Sequence, residues 1–387
     1  MNTFQLYNPT KLVFGSGTVR QLGMLLKPYG KKILLVYGGG SIQKSGLYDE
    51  VLGHLHKNGA TVHELAGIES NPRLTSVQAG IELCRREGIE FILAVGGGSV
   101  IDAAKAIAVG VPYEGDVWDF FVGKAQISEA LPLGTILTLA ATGSEMNGSS
   151  VVSHWEAKLK RAFSSIHAYP RFSILDPKLT FSVPRNQTVN GIVDIMSHVF
   201  EQYFSQTPDT PLQERYAESI LQTVVENGEL ALADGENYEA RANLLLCGTM
   251  ALNGTMNPGM QSDWASHAIE HEISAIYDIA HGAGLSIVFP NWMRYVYTSR
   301  PDRFAQYAVR VWGIDPTGRS EEELALAGID ATRDYFRRIG APSTLSEAGI
   351  GEEQLDRMAE EAVRYGPIGS FRKLEASDVR EILRMCL

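Results

Sequence analysis

Asp194 and His198 stand four residues apart in NGIVDIMSHVFEQY, a spacing that puts both side chains on one side of a helix, a turn apart, where both can reach one ion. His267 and His271 repeat the relation in WASHAIEHEISAIYD, and His281 follows in the glycine-flanked segment AHGAG. Several imidazoles with one carboxylate suit zinc or Fe(II) where no thiolate is at hand. None is: Cys84, Cys247 and Cys386 are the only cysteines, odd in number and without CxxC spacing. Asp194, Ser197, His198 and Glu201 equally form the solvated polar stripe of an amphipathic helix whose apolar arc is Ile192, Ile195, Met196, Val199 and Tyr203. Spacing alone serves both readings.

A second chemistry is written in two copies of GGGS. YGGGS at 37–41 follows ILLV, and VGGGS at 95–99 follows FILA. Glycine after a parallel strand lets the backbone turn sharply and approach a ligand, and the following helix start presents free N–H groups to an anion. In GGGSVIDAAKAIA the amides would hold the diphosphate of a dinucleotide, with Ser99 donating a hydroxyl. One triplet could simply end a strand; two make the ligand reading stronger. Neither fits GxGxxG or GxxxxGK[ST], so an ordinary dinucleotide fingerprint or P-loop is not expected. Where many NAD enzymes carry an acid against the ribose 2′-hydroxyl, the candidate position here is Gly38. With Gly39, Gly40, Ser41 and Lys44 beside it, the pocket has room, amides, a hydroxyl and a positive charge for a phosphate, which favours NADP(H) over NAD(H).

The elements that must position these residues are legible as two halves. Residues 33–37, 91–95, 135–139 and 172–175 read as buried strands, and segments 46–58, 73–87 and 99–109 as amphipathic helices. After LDPKLTFSVPRNQT (175–188) helical patterns take over, at 187–204, 210–232, 238–256, 264–276, 283–298, 302–312, 320–339, 352–364 and 376–386. The expected fold is a Rossmann-like α/β dinucleotide-binding domain over residues 1–185 and an all-helical metal-binding and catalytic domain over 186–387.

At 387 residues, two domains that each bury a core fit the length, and a cleft between them would follow. A net charge of −11 disfavours nucleic acid as a partner while leaving a small phosphate-bearing ligand open. The start MNTFQLYNPTKLVFG lacks a signal-peptide pattern, and no stretch reaches the roughly 18 apolar residues of a membrane span. A cytoplasmic protein without membrane partners is expected.

Together these segments resemble the iron-containing (group III) alcohol dehydrogenases, and within them the NADPH-dependent butanol dehydrogenases. The likeness runs over nearly the whole chain: YNPTKLVFGSGT, YGGGS, GGGSVIDAAKAIA, ATGSEMN, ILDPKLT, the DIMSH pair, HAIEHEISAIYDIAHGAGLSIVFP and DVREIL. The resemblance implies the dehydroquinate synthase-like architecture and one divalent ion, Fe2+ or Zn2+, held by Asp194, His198, His267 and His281. His271 is then a group beside the site, either a proton relay or a structural hydrogen-bonding residue. It implies cofactor contacts at Gly38, Gly39 and Ser41, at Gly97, Gly98, Ser99 and Asp102, and at Thr138, Thr142, Lys160 and Leu179. Thr138 and Thr142 could otherwise be turn caps, and Lys160 lies in KLKR, which otherwise passes for solvated surface.

The implied reaction is reduction of short-chain aldehydes to primary alcohols with NADPH. A Lewis-acidic cation would polarise the carbonyl, and a proton would arrive through His271, a ribose hydroxyl or water. Reduction is the expected direction because reduced NADP predominates in cells. Trp264, Tyr277 and Phe289 would suit a short aliphatic substrate, although such residues also serve as plain core. A homodimer is expected from the resemblance. The alternatives are an NAD- and zinc-dependent polyol or glycerol dehydrogenase of the same architecture, and a catalytically silent nucleotide-binding protein whose histidine pairs are surface features.

Overall fold

Short apolar runs closed by small residues become the interior of one parallel sheet. The computed structural model describes residues 1–387. Its strands are β1 (Lys11–Phe14), β2 (Lys32–Tyr37), β3 (Thr61–Leu65), β4 (Phe91–Gly96), β5 (Leu133–Leu137), β6 (Ser149–His154), β7 (Leu159–Ser164) and β8 (Phe172–Leu175). Six of them form a sheet in the order β3-β2-β4-β5-β8-β1, all neighbours parallel, and β6 and β7 form a separate antiparallel hairpin. Alternate residues of β2 and β4 feed two cores. Leu34, Val36, Ile92 and Ala94 pack with Val77, Ile81 and Ala104 of the helices Leu74–Glu87 and Gly98–Gly110. Ile33, Leu35, Phe91 and Leu93 pack on the other face with Val51 and Leu55 of the helix Leu47–Lys57.

The four expected strands are present within two residues. The runs at 11–14 and 61–65 escape sequence reading because β1 and β3 are the sheet's edges, with mixed exposure: the apolar run of β1 is only three residues long, and TVHEL of β3 has none. The β6–β7 hairpin is likewise half exposed.

The chain forms two compact units. The sheet unit comprises Tyr7–Pro184 and, returning from the second half, Asp234–Asn253; the other comprises Met1–Leu6, Arg185–Ala233 and Gly254–Leu387. A single break at 185 takes no account of the returning helix Tyr238–Ala251. That helix sends Leu245 into the sheet core, and Thr249 donates to Glu145 Oε1 at 2.5 Å.

The second unit is built from helices, as the pattern indicates. Its centre is aromatic, with Phe204 stacked on Phe304 at 4.3 Å and Trp292, Tyr307 and Phe371 around them. Three of its helices matter most here: Arg185–Tyr203, Ala265–Tyr277 and His281–Val296, the last packing against the other two.

Candidate functional site

In the helix Arg185–Tyr203 every residue from Gly191 to Tyr203 is buried. Asp194, Ser197, His198 and Glu201, 3 %, 0 %, 5 % and 0 % exposed, therefore do not form a solvated stripe. Burying so many polar groups is costly unless each finds a partner or an ion, which makes this arc a candidate site.

The other two helices complete it. His267 lies in the first turn of Ala265–Tyr277, and His281 is the first residue of His281–Val296. The glycines of AHGAG permit the approach: a Cβ on Gly282 would lie 2.1 Å from the Asn190 carbonyl oxygen, and one on Gly284 would lie 2.7 Å from the Glu270 side chain. Asp194, His267 and His281 bring one donor atom each to within 4.8 Å of one another. Asp194 Oδ1 is 3.8 Å from His281 Nε2 and 3.6 Å from His198 Nδ1, and the His198 and His267 rings are 4.9 Å apart.

Two carboxylates orient the histidines from behind. Glu201 Oε1 lies 2.7 Å from His267 Nδ1, and Glu270, fully buried, pairs with His281 Nδ1 and accepts from Ser274 Oγ. Each pairing spends Nδ1 and leaves Nε2 for the centre, the arrangement found behind metal-bound histidines. His198 Nδ1 and His267 Nε2 are buried with no hydrogen-bond partner. Burial, and next the neighbouring His267 and His281, hold His198 well below its ordinary pKa, so it is neutral and able to donate a lone pair. Three imidazoles and a carboxylate, with orphaned nitrogens facing inward, fit a divalent cation such as Fe2+ or Zn2+.

His271, a turn beyond His267, is half-buried and sits beside this group, its ring 5.5 Å from that of His281. Glu201 was visible in the sequence only as part of the polar stripe, and Glu270 was not singled out at all. The one signal for Glu270 is its spacing, three residues after His267 and so on the same helix face.

In the sheet unit, the chain passes from β2 to one neighbour, β3, and then crosses to the other, β4, so β2 and β4 flank the point where the winding reverses. Open α/β sheets bind ligands at the carboxyl ends of such strands. Tyr37 is in register with Val95, which sets the two GGGS loops side by side there. Gly38 and Gly39 follow β2, and Ser41 opens a short helix after Gly40, whose φ is +102°. Gly97 caps the helix Gly98–Gly110. Thr138 follows β5, its N–H donating to Gly96 O at 3.0 Å, and Leu179 lies in the turn Pro177–Thr180 after β8. Thr142 presses on Gly98 and accepts the Ser144 N–H at 3.1 Å.

Three expected contacts have partners inside the protein. The Ser99 hydroxyl donates to Ser70 O. Asp102 is turned inward, accepting from Ser144 Oγ at 2.5 Å and Val151 N at 2.9 Å, and burial raises its pKa while Lys105 opposes the rise. Lys160, 4 % exposed, is not on a solvated surface; it lies in β7, and its charge acts on Asp102.

Residues 9–177 match the family described as iron-containing alcohol dehydrogenase, and residues 188–387 match the Fe-containing alcohol dehydrogenase family, C-terminal. The chain is 53 % identical to the probable NADH-dependent butanol dehydrogenase 1 of Bacillus subtilis, over all of both chains. It is 39 % identical to the NADPH-dependent aldehyde reductase YqhD of Escherichia coli, covering 95 % of this chain and 94 % of that one. Its fold superposes on the crystal structure of NADH-dependent butanol dehydrogenase A from Thermotoga maritima with a TM-score of 0.96 at 44 % identity, over 100 % and 99 % of the two chains. The chain belongs to the iron-containing alcohol dehydrogenase family.

Proposed function

We propose that this protein is a metal-dependent, NADP(H)-linked alcohol dehydrogenase that reduces short-chain aldehydes to primary alcohols. The observation that carries the reading is the convergence of Asp194, His267 and His281 within 4.8 Å, with His198 alongside and Glu201 and Glu270 behind. Asp194, His198, His267 and His281 would hold the metal, which supplies Lewis acidity to a carbonyl oxygen. The nicotinamide supplies the hydride.

The chain's own residues supply orientation and proton handling. Glu201 and Glu270 fix the tautomers of His267 and His281, so that neither ring must reorganise during turnover. The neutral, buried His198 adds a donor without adding charge. His271, half-buried beside His281, would hand a proton to the product alkoxide through water. Gly38, Gly39, Ser41, Gly97, Gly98, Ser99, Asp102, Thr138, Thr142, Lys160 and Leu179 form the dinucleotide edge, Asp102 by bracing Ser144 and the β6 backbone.

The choice of NADP(H) rests on Gly38, which puts no carboxylate where a 2′-phosphate would lie. Relatives carry both cofactors in their names, so the measurement is a direct one: kcat/KM with NADPH and with NADH, on butanal and on glycerol. A strong NADH preference refutes the cofactor assignment, and glycerol oxidation exceeding butanal reduction favours the polyol reading. Metal analysis covers the silent-protein reading: no stoichiometric metal, and no change in metal content in His267→Ala or His281→Ala, would support it. The same proposal includes a cytoplasmic homodimer; light scattering should return twice the chain mass.

A further inference from the structure

Four residues other than glycine have a left-handed backbone: Lys158, Asp209, Trp264 and Asp278. Aspartate tolerates this region, but a bulky aromatic there is an outlier, and such outliers cluster at functional sites. Trp264, at φ +68°, immediately precedes the helix that carries His267. Its N–H donates to Glu201 Oε2 at 2.7 Å, and the preceding Asp263 donates its own N–H to the Glu201 carbonyl at 2.7 Å, so the turn is pinned to the Asp194 helix. The turned backbone sends the indole over the histidines. It stands edge-on to His267 at 5.2 Å and tilted to His198 at 6.2 Å, and it is 37 % exposed. Phe289, the other aromatic beside His267, is fully buried at 6.4 Å and cannot meet a substrate.

Building on the aldehyde reductase reading, we infer that Trp264 is the residue that sets substrate shape: its indole walls the solvent side of the histidine pair and admits straight-chain aldehydes while refusing chains branched next to the carbonyl. A side chain held in a strained conformation with more than a third of its surface open to solvent, and with its ring contacts made to the histidines, serves the site rather than the core. Glycine would relax the backbone and keep the N–H that Glu201 uses, so Trp264→Gly should fold and keep its metal.

The test compares wild type, Trp264→Phe and Trp264→Gly in their metal-loaded forms. One readout is the ratio of kcat/KM for butanal to that for 2,2-dimethylpropanal. A second is the ratio of the Kd for 2,2-dimethylpropanamide to that for butyramide, unreactive amides of the same shapes. Both ratios should fall about tenfold or more in Trp264→Gly, with Trp264→Phe between. Ratios within about twofold of wild type, at unchanged metal content, overturn the inference. If wild type reduces neither aldehyde, the function proposed above fails, and the amide ratio still decides the role of Trp264.

Discussion

Glu201 and His267 meet across two helices, the carboxylate Oε1 lying 2.7 Å from the ring Nδ1 and accepting the His267 backbone N–H at 3.0 Å. Its second oxygen takes the Trp264 N–H at 2.7 Å. One buried acid thus starts a helix, fixes a tautomer and points Nε2 at the centre.

Glu201→Ala should therefore weaken metal retention about 10- to 100-fold, read by competition with a chromophoric chelator. The unsatisfied N–H groups should also lower stability. Metal held as tightly as in the parent would show that Glu201 does not orient His267 for an ion.

At the proposed nucleotide edge, two adjacent loops separate steric from ligand effects. A Cβ at Gly39 meets nothing within 4 Å, so Gly39→Ala should keep its Tm within about 2 °C. The added methyl would occupy cofactor space and raise the cofactor Kd about tenfold. A Cβ at Gly98 would fall 2.3 Å from Thr142 Oγ1, so Gly98→Ala should lose both stability and binding. Unchanged cofactor binding in Gly39→Ala would move the dinucleotide away from the first loop.

His271→Ala should lower kcat by about 10²-fold or more and remove a limb of its pH profile while leaving metal content intact. Loss of metal instead would make His271 a ligand; an unchanged kcat would leave it a structural residue.

Lys105 is wholly buried and donates to Ser144 Oγ, Asn147 Oδ1 and Ser149 O. Burial pulls its ammonium from 10.5 to about 8, opposed by Asp102 and Glu145. A lysine depressed in the folded state contributes stability that is full above its unfolded value and lost as pH falls through its folded one. Between pH 8 and 10.5 the wild-type urea midpoint should thus rise relative to that of Lys105→Met, beyond the constant offset from the lost hydrogen bonds. A flat difference across that window would mean that burial does not burden the charge.

The sheet interior was readable because β2 and β4 are buried on both faces and so must be apolar throughout. The edges β1 and β3 were not, because half-exposed strands carry a run as short as the LVF of β1 or none, as in TVHEL of β3. Helix positions in the second half follow from periodicity to within a few residues, as at Ala265–Tyr277 and Glu321–Ile339, whose start is marked by the Ser320 and Glu323 capping box. The return of Tyr238–Ala251 to the sheet unit was hidden, since local pattern carries no record of which core a helix joins.

What the sequence determined by itself is a pair of glycine loops after parallel strands and two sets of i, i+4 polar residues, because strand and helix periods act over a few neighbours. Whether Asp194 and His198 faced water or the interior was undecidable at that range. Only the tertiary structure, by closing Asn190 onto Gly282 and placing Glu201 and Glu270 behind the histidines, made a polar stripe into a buried centre. The physical reason is that burial and convergence are set by helix against helix, through contacts between residues far apart in the chain, as from Asp194 to His281, 87 positions on.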